Sequence, residues 1–574
     1  MAKQTSPPGA LRLRHVAAAM AAGVWLTGGG VSSHALAQDI SFSGPAFRAA
    51  DYGDYMSAQL AWEQGDYATA ARRLAALAER NPEEPSWVES AVSAYLAAGD
   101  PEAALQLAQW QERMDAEALV GVARLALAAD AVRLRRWREA EELLAAMPVD
   151  DEQTATHRLA AGVLRVWAQA GRGDEEGALE LLLTLPRPRA MAATLPFQRA
   201  MILEGARRFS DADGAYAEAA AGQRLLVEDV LRYAAYLERR QGRAAANTYL
   251  EGLRGRIGNI AFEAALAGRY QAPAPAPHRN AALGLVGYGR GLAGEDAAFD
   301  AALALSLALL VDPEQQGGRM ALAVQLRAMG QNDRALAVAS AVGPSSVYFE
   351  AAQVEVAELM AEEGRTDEAL ALIRGVAEQT QGRFAVRALA DLALASGAYA
   401  EAESAYTRLI ALNEGQPPQW RPLFGRAQAR EGLGRWSEAK ADYRAAHAID
   451  TDEPTVLIGF ARGMLRHGEG AQEALALMEL AYRVDPRNPE ILAGLGEAYL
   501  AVGRVEDAAT ILDQALRRTP GDARTAAALG DALWRLGDRR RARYMWSRAL
   551  NRETDDTVRA ALVEKLESGL AQAP

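Results

Sequence analysis

Small and apolar positions recur along this chain with a period of 34 residues, and the recurrence is sharpest near its C-terminal end. Residues 489–522 and 523–556 align with Leu495-Gly496 over Leu529-Gly530, Gly503 over Gly537, Ala508 over Ala542, Leu512 over Trp546 and Ala515 over Ala549. Upstream the signature returns as a glycine, in many copies an aromatic two residues later, and an alanine three after that. Examples are Gly65-Asp66-Tyr67 with Ala70, Gly397-Ala398-Tyr399 with Ala402, and Gly434-Arg435-Trp436 with Ala439. Gly99, Gly330 and Gly364 carry the alanine without the aromatic. Each unit predicts two antiparallel helices. The glycine ends the first helix in a left-handed conformation that needs no Cβ. The alanine early in the second helix faces the small residue at position eight of the first, so the two backbones can approach closely. Proline at position 32, as at Pro82, Pro486 and Pro520, stops the second helix by removing an amide and crowding the preceding turn. One unit alone would leave an apolar face bare, so neighbours must stack into a solenoid. Val558, Leu562, Leu566 and Leu570, at spacing four, make one stripe that predicts a helix capping the last repeat.

Leu-Gly at positions seven and eight, tyrosine at eleven as in Tyr499, alanine at 20 and 27 and proline at 32 together resemble the tetratricopeptide repeat, TPR. The resemblance is most specific over 383–556, good over 55–115 and 316–380, and degenerate between. There Arg135 and Arg207 stand where the terminal glycine would be, while Trp137 with Ala140 and Phe209 with Ala212 keep the rest of the pattern. It implies an all-α chain, a right-handed TPR-type solenoid of antiparallel helix pairs. It also implies that extended partner segments bind a concave surface lined by positions 2, 5, 9, 12 and 13 of the first helices. At those positions the candidate partner-binding residues are Arg421, Phe424, Gln428, Glu497, Asp531, Trp534 and Arg535. The Lys and Asn pair with which chaperone-binding members clamp a terminal carboxylate is absent. Ala493 with Glu497, and Ala527 with Asp531, would repel a carboxylate and favour basic or apolar segments.

The N-terminal stretch reads differently. Residues 1–15 carry Lys3, Arg12 and Arg14 and no acid, 16–31 form an apolar run, and Ala35-Leu36-Ala37 gives a small-x-small cleavage pattern. At about 1.5 Å per residue the run reaches only ~24 Å, short of the ~30 Å hydrocarbon core. A secretory signal peptide over 1–37, cleaved after Ala37, is expected, giving an exported, periplasmic protein with no integral membrane span. Alternating Ala-Pro over 272–277 predicts a linker or hinge at 271–280, dividing a degenerate array at 38–270 from a second at 281–556, with the cap and tail at 557–574.

A net charge of −13 argues against nucleic acid or anionic lipid as the main partner, and the absence of cysteine removes disulfides, thiolate metal sites and cysteine nucleophiles. Gly289-Arg290-Gly291-Leu292-Ala293-Gly294 matches the three-glycine dinucleotide pattern, but that fingerprint needs a βαβ unit and helical repeats flank it. His157, His278, His447 and His467 show no ligand spacing, so neither metal nor cofactor is expected. Arg535 to Arg548, interleaved with Trp534, Tyr544 and Trp546, is the one basic segment: an anionic-partner patch or a solvated helix face. The sequence therefore points to a non-catalytic protein-protein interaction scaffold of the bacterial cell envelope, with other envelope proteins or peptides as partners. The alternative is an accessory subunit of envelope polysaccharide or outer-membrane assembly and export, against which the 6% aromatic content argues mildly.

Overall fold

The computed structural model describes residues 49–570 except 118, 120, 146, 148–154, 187–190, 223–224, 255, 258–259, 267–274, 293–296 and 416. The signal segment lies outside the described residues, as do 271–274 of the Ala-Pro stretch. Among the described residues there are thirty helices and no strand, and none of the helices is long and apolar enough to cross a membrane. The chain divides into two compact units between Leu359 and Met360.

The first unit opens with six helix pairs: α1 (Ala49–Glu63) and α2 (Tyr67–Arg80), α3 (Pro85–Ala97) and α4 (Pro101–Met114), α5 (Gly121–Arg133) and α6 (Trp137–Ala145), α7 (Ala155–Arg172) and α8 (Glu175–Thr184), α9 (Leu195–Gly205) and α10 (Phe209–Ala220), α11 (Val227–Gln241) and α12 (Arg243–Gly252). A short α13 (Ile260–Leu266) follows, then a hairpin of α14 (Pro277–Leu292) and α15 (Ala298–Val311), then α16 (Gln316–Ala328) and α17 (Asn332–Ser340). Helix α18 (Phe349–Glu362) contains the division. The second unit continues with α19 (Thr366–Thr380), α20 (Arg383–Ala395) and α21 (Tyr399–Leu412), α22 (Trp420–Gly432) and α23 (Trp436–Ile449), α24 (Pro454–Arg466) and α25 (Ala471–Val484), α26 (Pro489–Ala501) and α27 (Val505–Arg518), α28 (Ala523–Arg535) and α29 (Arg539–Leu550), and the closing α30 (Asp556–Ser568).

The repeat glycines sit where the pattern places them. Gly65, Gly99, Gly397, Gly434, Gly503 and Gly537 all have φ between 67° and 86°. Arg135 and Arg207 adopt the same left-handed turn at φ 59° and 57°, where a side chain costs about 1 kcal/mol or more. The small residue at position eight chiefly admits the large residue at position 24: a Cβ on Gly496 would lie 2.6 Å from Leu512 Cδ2, and one on Gly530 would overlap the Trp546 indole. The alanine early in the second helix contributes through its backbone, with Ala542 O 3.1 Å from the same point at Gly530. Aromatics opening a second helix reach the next repeat, Trp436 against Gly463 and Trp137 against Gly171. Leu562 is buried at the end of the array, and Leu566 and Leu570 pack beside it. Val558, the fourth member of the stripe, is 43% exposed.

The α14–α15 hairpin does not behave as a repeat pair. It lies across α3, α5, α7, α9 and α11, each the first helix of its pair, and so covers the face that a TPR array turns inward. From Ala301 to Val311 every residue of α15 is buried. Gly284 lets α14 approach Val163 and Gln198, whose side-chain oxygen accepts from the Trp167 indole at 2.6 Å. Gly287 lets it approach Thr194, and Gly289 sits against Leu305 of its own partner helix. Polar tethers hold the hairpin in place. Tyr288 and Thr156 share a buried hydroxyl contact at 2.9 Å, Ser306 donates to the Leu96 carbonyl at 2.6 Å, and Arg290 pairs with buried Glu228 at 2.6 Å. The glycines at 289 and 291 belong to a buried helix and form no phosphate loop. Pro277, read as linker, is the first residue of α14, where its missing amide has no partner to lose, and the helix it opens packs within the first unit.

Candidate partner-binding surface

In the second unit helices α20 to α30 pack on their neighbours in sequence, so among the described residues no hairpin lies over the inner positions of the first helices α20, α22, α24, α26 and α28. Arg421 is exposed, with its guanidinium 5.1 Å from the centre of the Trp420 ring, and Gln428 is half-buried one turn beyond Phe424. Phe424 is a packing residue. Its ring lies edge-on to Trp420 and Tyr443, and a Cβ on Gly459 of the next repeat would come within 2.6 Å of it.

The acidic candidates are already engaged. Glu497 accepts from Arg524 Nε and Nη2 at 2.7 and 2.8 Å, a bidentate pair, and lies 3.9 Å from Arg462 Nε. Arg462 also donates to Glu490 at 2.5 Å, closing a cluster of two cations and two anions across three repeats. Burial, and then the charge of Arg524, push the Arg462 guanidinium below its usual pKa. Burial also pulls on Arg524, but the charge and hydrogen bond of Glu497 outweigh it and hold that group above its usual value. Asp531 accepts from the Trp546 indole at 2.9 Å and from Lys565 of α30 at 2.8 Å. These carboxylates therefore do not repel an incoming carboxylate as the bare residues would, since each is matched by a cation from the adjoining helix pair or from the cap.

Trp534 lies under the cap, where a Cβ on Gly569 would come within 2.8 Å of Cε2, with Trp546 at 5.3 Å and the guanidiniums of Arg539 and Arg543 at 5.3 and 5.6 Å. Arg535 is exposed and donates to the Leu500 carbonyl at 3.1 Å. Of the seven candidates, Arg421, Gln428 and Arg535 keep side chain available, Glu497 and Asp531 are bound in ion pairs, and Phe424 and Trp534 serve packing. Sequence reasoning passed over Phe384, flanked by Arg383 and Arg387 at 5.1 and 5.7 Å, and Arg462. Both lie at the same register positions, two and nine, that supplied the other candidates. Among the described residues no three His, Asp or Glu side chains gather in a way that could hold a metal ion.

Family models describing the tetratricopeptide repeat match residues 55–113, 387–454 and 469–529. Over these residues the chain is built of tetratricopeptide repeats. The stretch from 114 to 386 that these models leave unmatched includes the arginine-closed turns and the α14–α15 hairpin, where the TPR pattern departs most from its usual form. Among solved structures the TPR chain is similar to a tetratricopeptide repeat protein from Parabacteroides merdae, at 15% identity and a TM-score of 0.38, over 44% of this chain and 99% of that one. It is also similar to the Cut9 and Hcn1 assembly of the APC/C, at 14% identity and 0.37, over 91% and 97%. A third is yeast Tom70, at 12% and 0.34, over 91% and 95%. At these scores none of the three informs the site. No curated protein matches the chain.

Proposed function

We propose that this TPR protein is a non-catalytic interaction scaffold of the bacterial cell envelope, and that its second array carries the surface that engages partner proteins. The observation that carries the assignment to the second array is the α14–α15 hairpin across α3, α5, α7, α9 and α11. A face already packed by the chain's own apolar helices offers nothing to a partner, whereas Arg421, Gln428 and Arg535 reach solvent from α22 and α28. The envelope location rests on the basic start, the short apolar run and Ala35-Leu36-Ala37. The exported chain begins at Gln38.

Photoreactive residues placed singly at 421, 428 and 535, and at the exposed Leu183 of α8 in the first array, test the assignment in the native envelope. A common cross-linked species from the three second-array positions and none from 183 is expected. Cross-linking from 183 alone would move the surface to the first array. Intact mass tests export: a product still carrying Met1 and sedimenting with membrane would overturn the periplasmic reading.

A further inference from the structure

The end of the second array carries charge that the fold does not use. From Arg535 to Arg552 the chain has seven arginines and one acid, Asp538, within a protein of net charge −13. Asp538 caps α29 and lies 3.8 Å from Arg541. Arg535 and Arg548 donate to the Leu500 and Pro520 carbonyls, which are neutral. No carboxylate within salt-bridge distance answers Arg539, Arg540 or Arg543 among the described residues, whereas inward acids such as Glu431, Glu497 and Asp531 are each paired. Arg539 and Arg543 lie over the Trp534 ring, which fixes their direction at little further entropic cost, since a guanidinium over an indole is attracted by the ring quadrupole. Tyr544 stands beside them at 62% exposure, the most exposed tyrosine among the exposed large hydrophobics of the described residues.

We propose that this patch, built from Arg539, Arg540, Arg543 and Tyr544 on the Trp534 platform, binds an acidic, extended segment of a partner protein. The proposal rests on the scaffold reading above and gives the occupant its chemistry. Charge decides the sign: oriented guanidiniums without counter-ions are matched by Asp or Glu side chains, which they can take bidentately. Tyrosine and arginine are among the residue types enriched at the few positions that dominate protein-interface binding energy. A glycan is disfavoured because the ring that would stack on a sugar, Trp534, is already in contact with Trp546, Gly569 and the two arginines. Glu497 and Asp531, whose bare charge would favour a basic or apolar segment, are already matched by Arg524 and Lys565.

The test is fluorescence anisotropy of a labelled ten-residue glutamate peptide with the full chain. The patch variant combines Arg540→Ser, Arg543→Ser and Tyr544→Ala, all at exposed positions. The control combines Arg517→Ser and Arg518→Ser on α27. The patch variant is expected to bind at least about tenfold more weakly, with the control within about twofold and an unchanged melt for both, and wild-type binding should weaken as added salt shortens the Debye length. Equal binding by wild type and patch variant overturns the proposal. So does tighter binding of dextran sulfate than of the peptide at the same patch, which would assign it to an anionic glycan. Persistence of the cross-links from 421 and 428 in a patch variant that binds no peptide would refute the patch and leave the scaffold reading intact. Their absence from wild type would strike the scaffold reading itself.

Discussion

Replacing Gly287 by alanine separates close packing of the α14–α15 hairpin from ordinary helix energetics, because the two predict opposite signs. Gly287 lies inside α14, where exchange for alanine would by itself stabilise a helix by about 1 kcal/mol. The added Cβ would stand 2.8 Å from Thr194 Cβ and 2.7 Å from its Cγ2, against the ~3.5–4.0 Å of an unstrained carbon contact. Thr194 must therefore retreat by about 1 Å. Its hydroxyl donates to the fully buried Asp229 at 3.1 Å, and that bond does not survive such a shift. Overpacking at about 1–3 kcal/mol and a buried acid without its donor at about 1–3 kcal/mol outweigh the propensity gain. The expected result is a net loss of about 1–5 kcal/mol. Gly214 in α10 has nothing within 4 Å of its added Cβ and is the control. Gly214→Ala should raise stability by about 0.5–1 kcal/mol. Urea titration followed by hydrogen exchange of peptides from 155–311 reads both variants in the full chain. A Gly287→Ala variant stabilised like Gly214→Ala would show that α14 does not lie against Thr194.

Three further outcomes follow from the first unit. Arg135→Gly and Arg207→Gly should each stabilise by up to about 1 kcal/mol in chemical denaturation, because they relieve a left-handed side chain at turns that glycine closes elsewhere. Burial, and then the neighbouring Glu228 carboxylate, push Asp229 well above its usual pKa, against weaker opposition from Thr194 and Arg290. The folded state therefore holds that proton more tightly than the unfolded chain, and the stability Asp229 contributes falls as pH rises from about 4 upward. Asp229→Asn should gain on wild type between pH 4 and pH 8, and a constant difference across that range would contradict the assignment. Arg290→Met leaves Glu228 buried with only the Tyr348 hydroxyl at 3.0 Å, and should cost about 3–5 kcal/mol in the same titration. Adding Glu228→Gln should recover much of that loss, because the uncompensated charge is gone.

The repeat itself was readable from sequence because each of its small residues has a local mechanical cause. Gly503 and Gly537 close turns with positive φ, and Gly496 and Gly530 admit Leu512 and Trp546. The hairpin was not readable, because its signals had competing meanings. Gly284, Gly287, Gly289 and Gly291 sit in an apolar run that fits a glycine-rich loop as well as a helix lying close to others. Ala-Pro alternation just before it suggested a division, whereas the compact units part within α18. One clue was available in α15, whose Ala301 to Val311 is apolar on all sides save Ser306, the mark of a helix enclosed by others and not of a surface pair. At the candidate partner surface the register assigned residues to first-helix positions, but could not show which charges were spent. Glu497 with Arg524, Glu403 with Arg430 and Arg374 with Glu401 all pair across 27 residues, a distance set by the stacking of consecutive repeats and invisible within any one of them.

The occupancy of the first array's inner face, which sends partner binding to the second array, is tested most directly by a cross-link. The chain has no cysteine, so Thr194→Cys with Gly287→Cys introduces the only two thiols. Their Cβ positions, 2.8 Å apart, reach the ~3.8 Å of a disulfide with an opening of about 1 Å. Mild oxidation of the full chain should close this bond nearly completely and leave no thiol open to alkylation. Two freely alkylated thiols in a folded chain would show that the hairpin lies elsewhere, and the first array's inner face would then be open to partners.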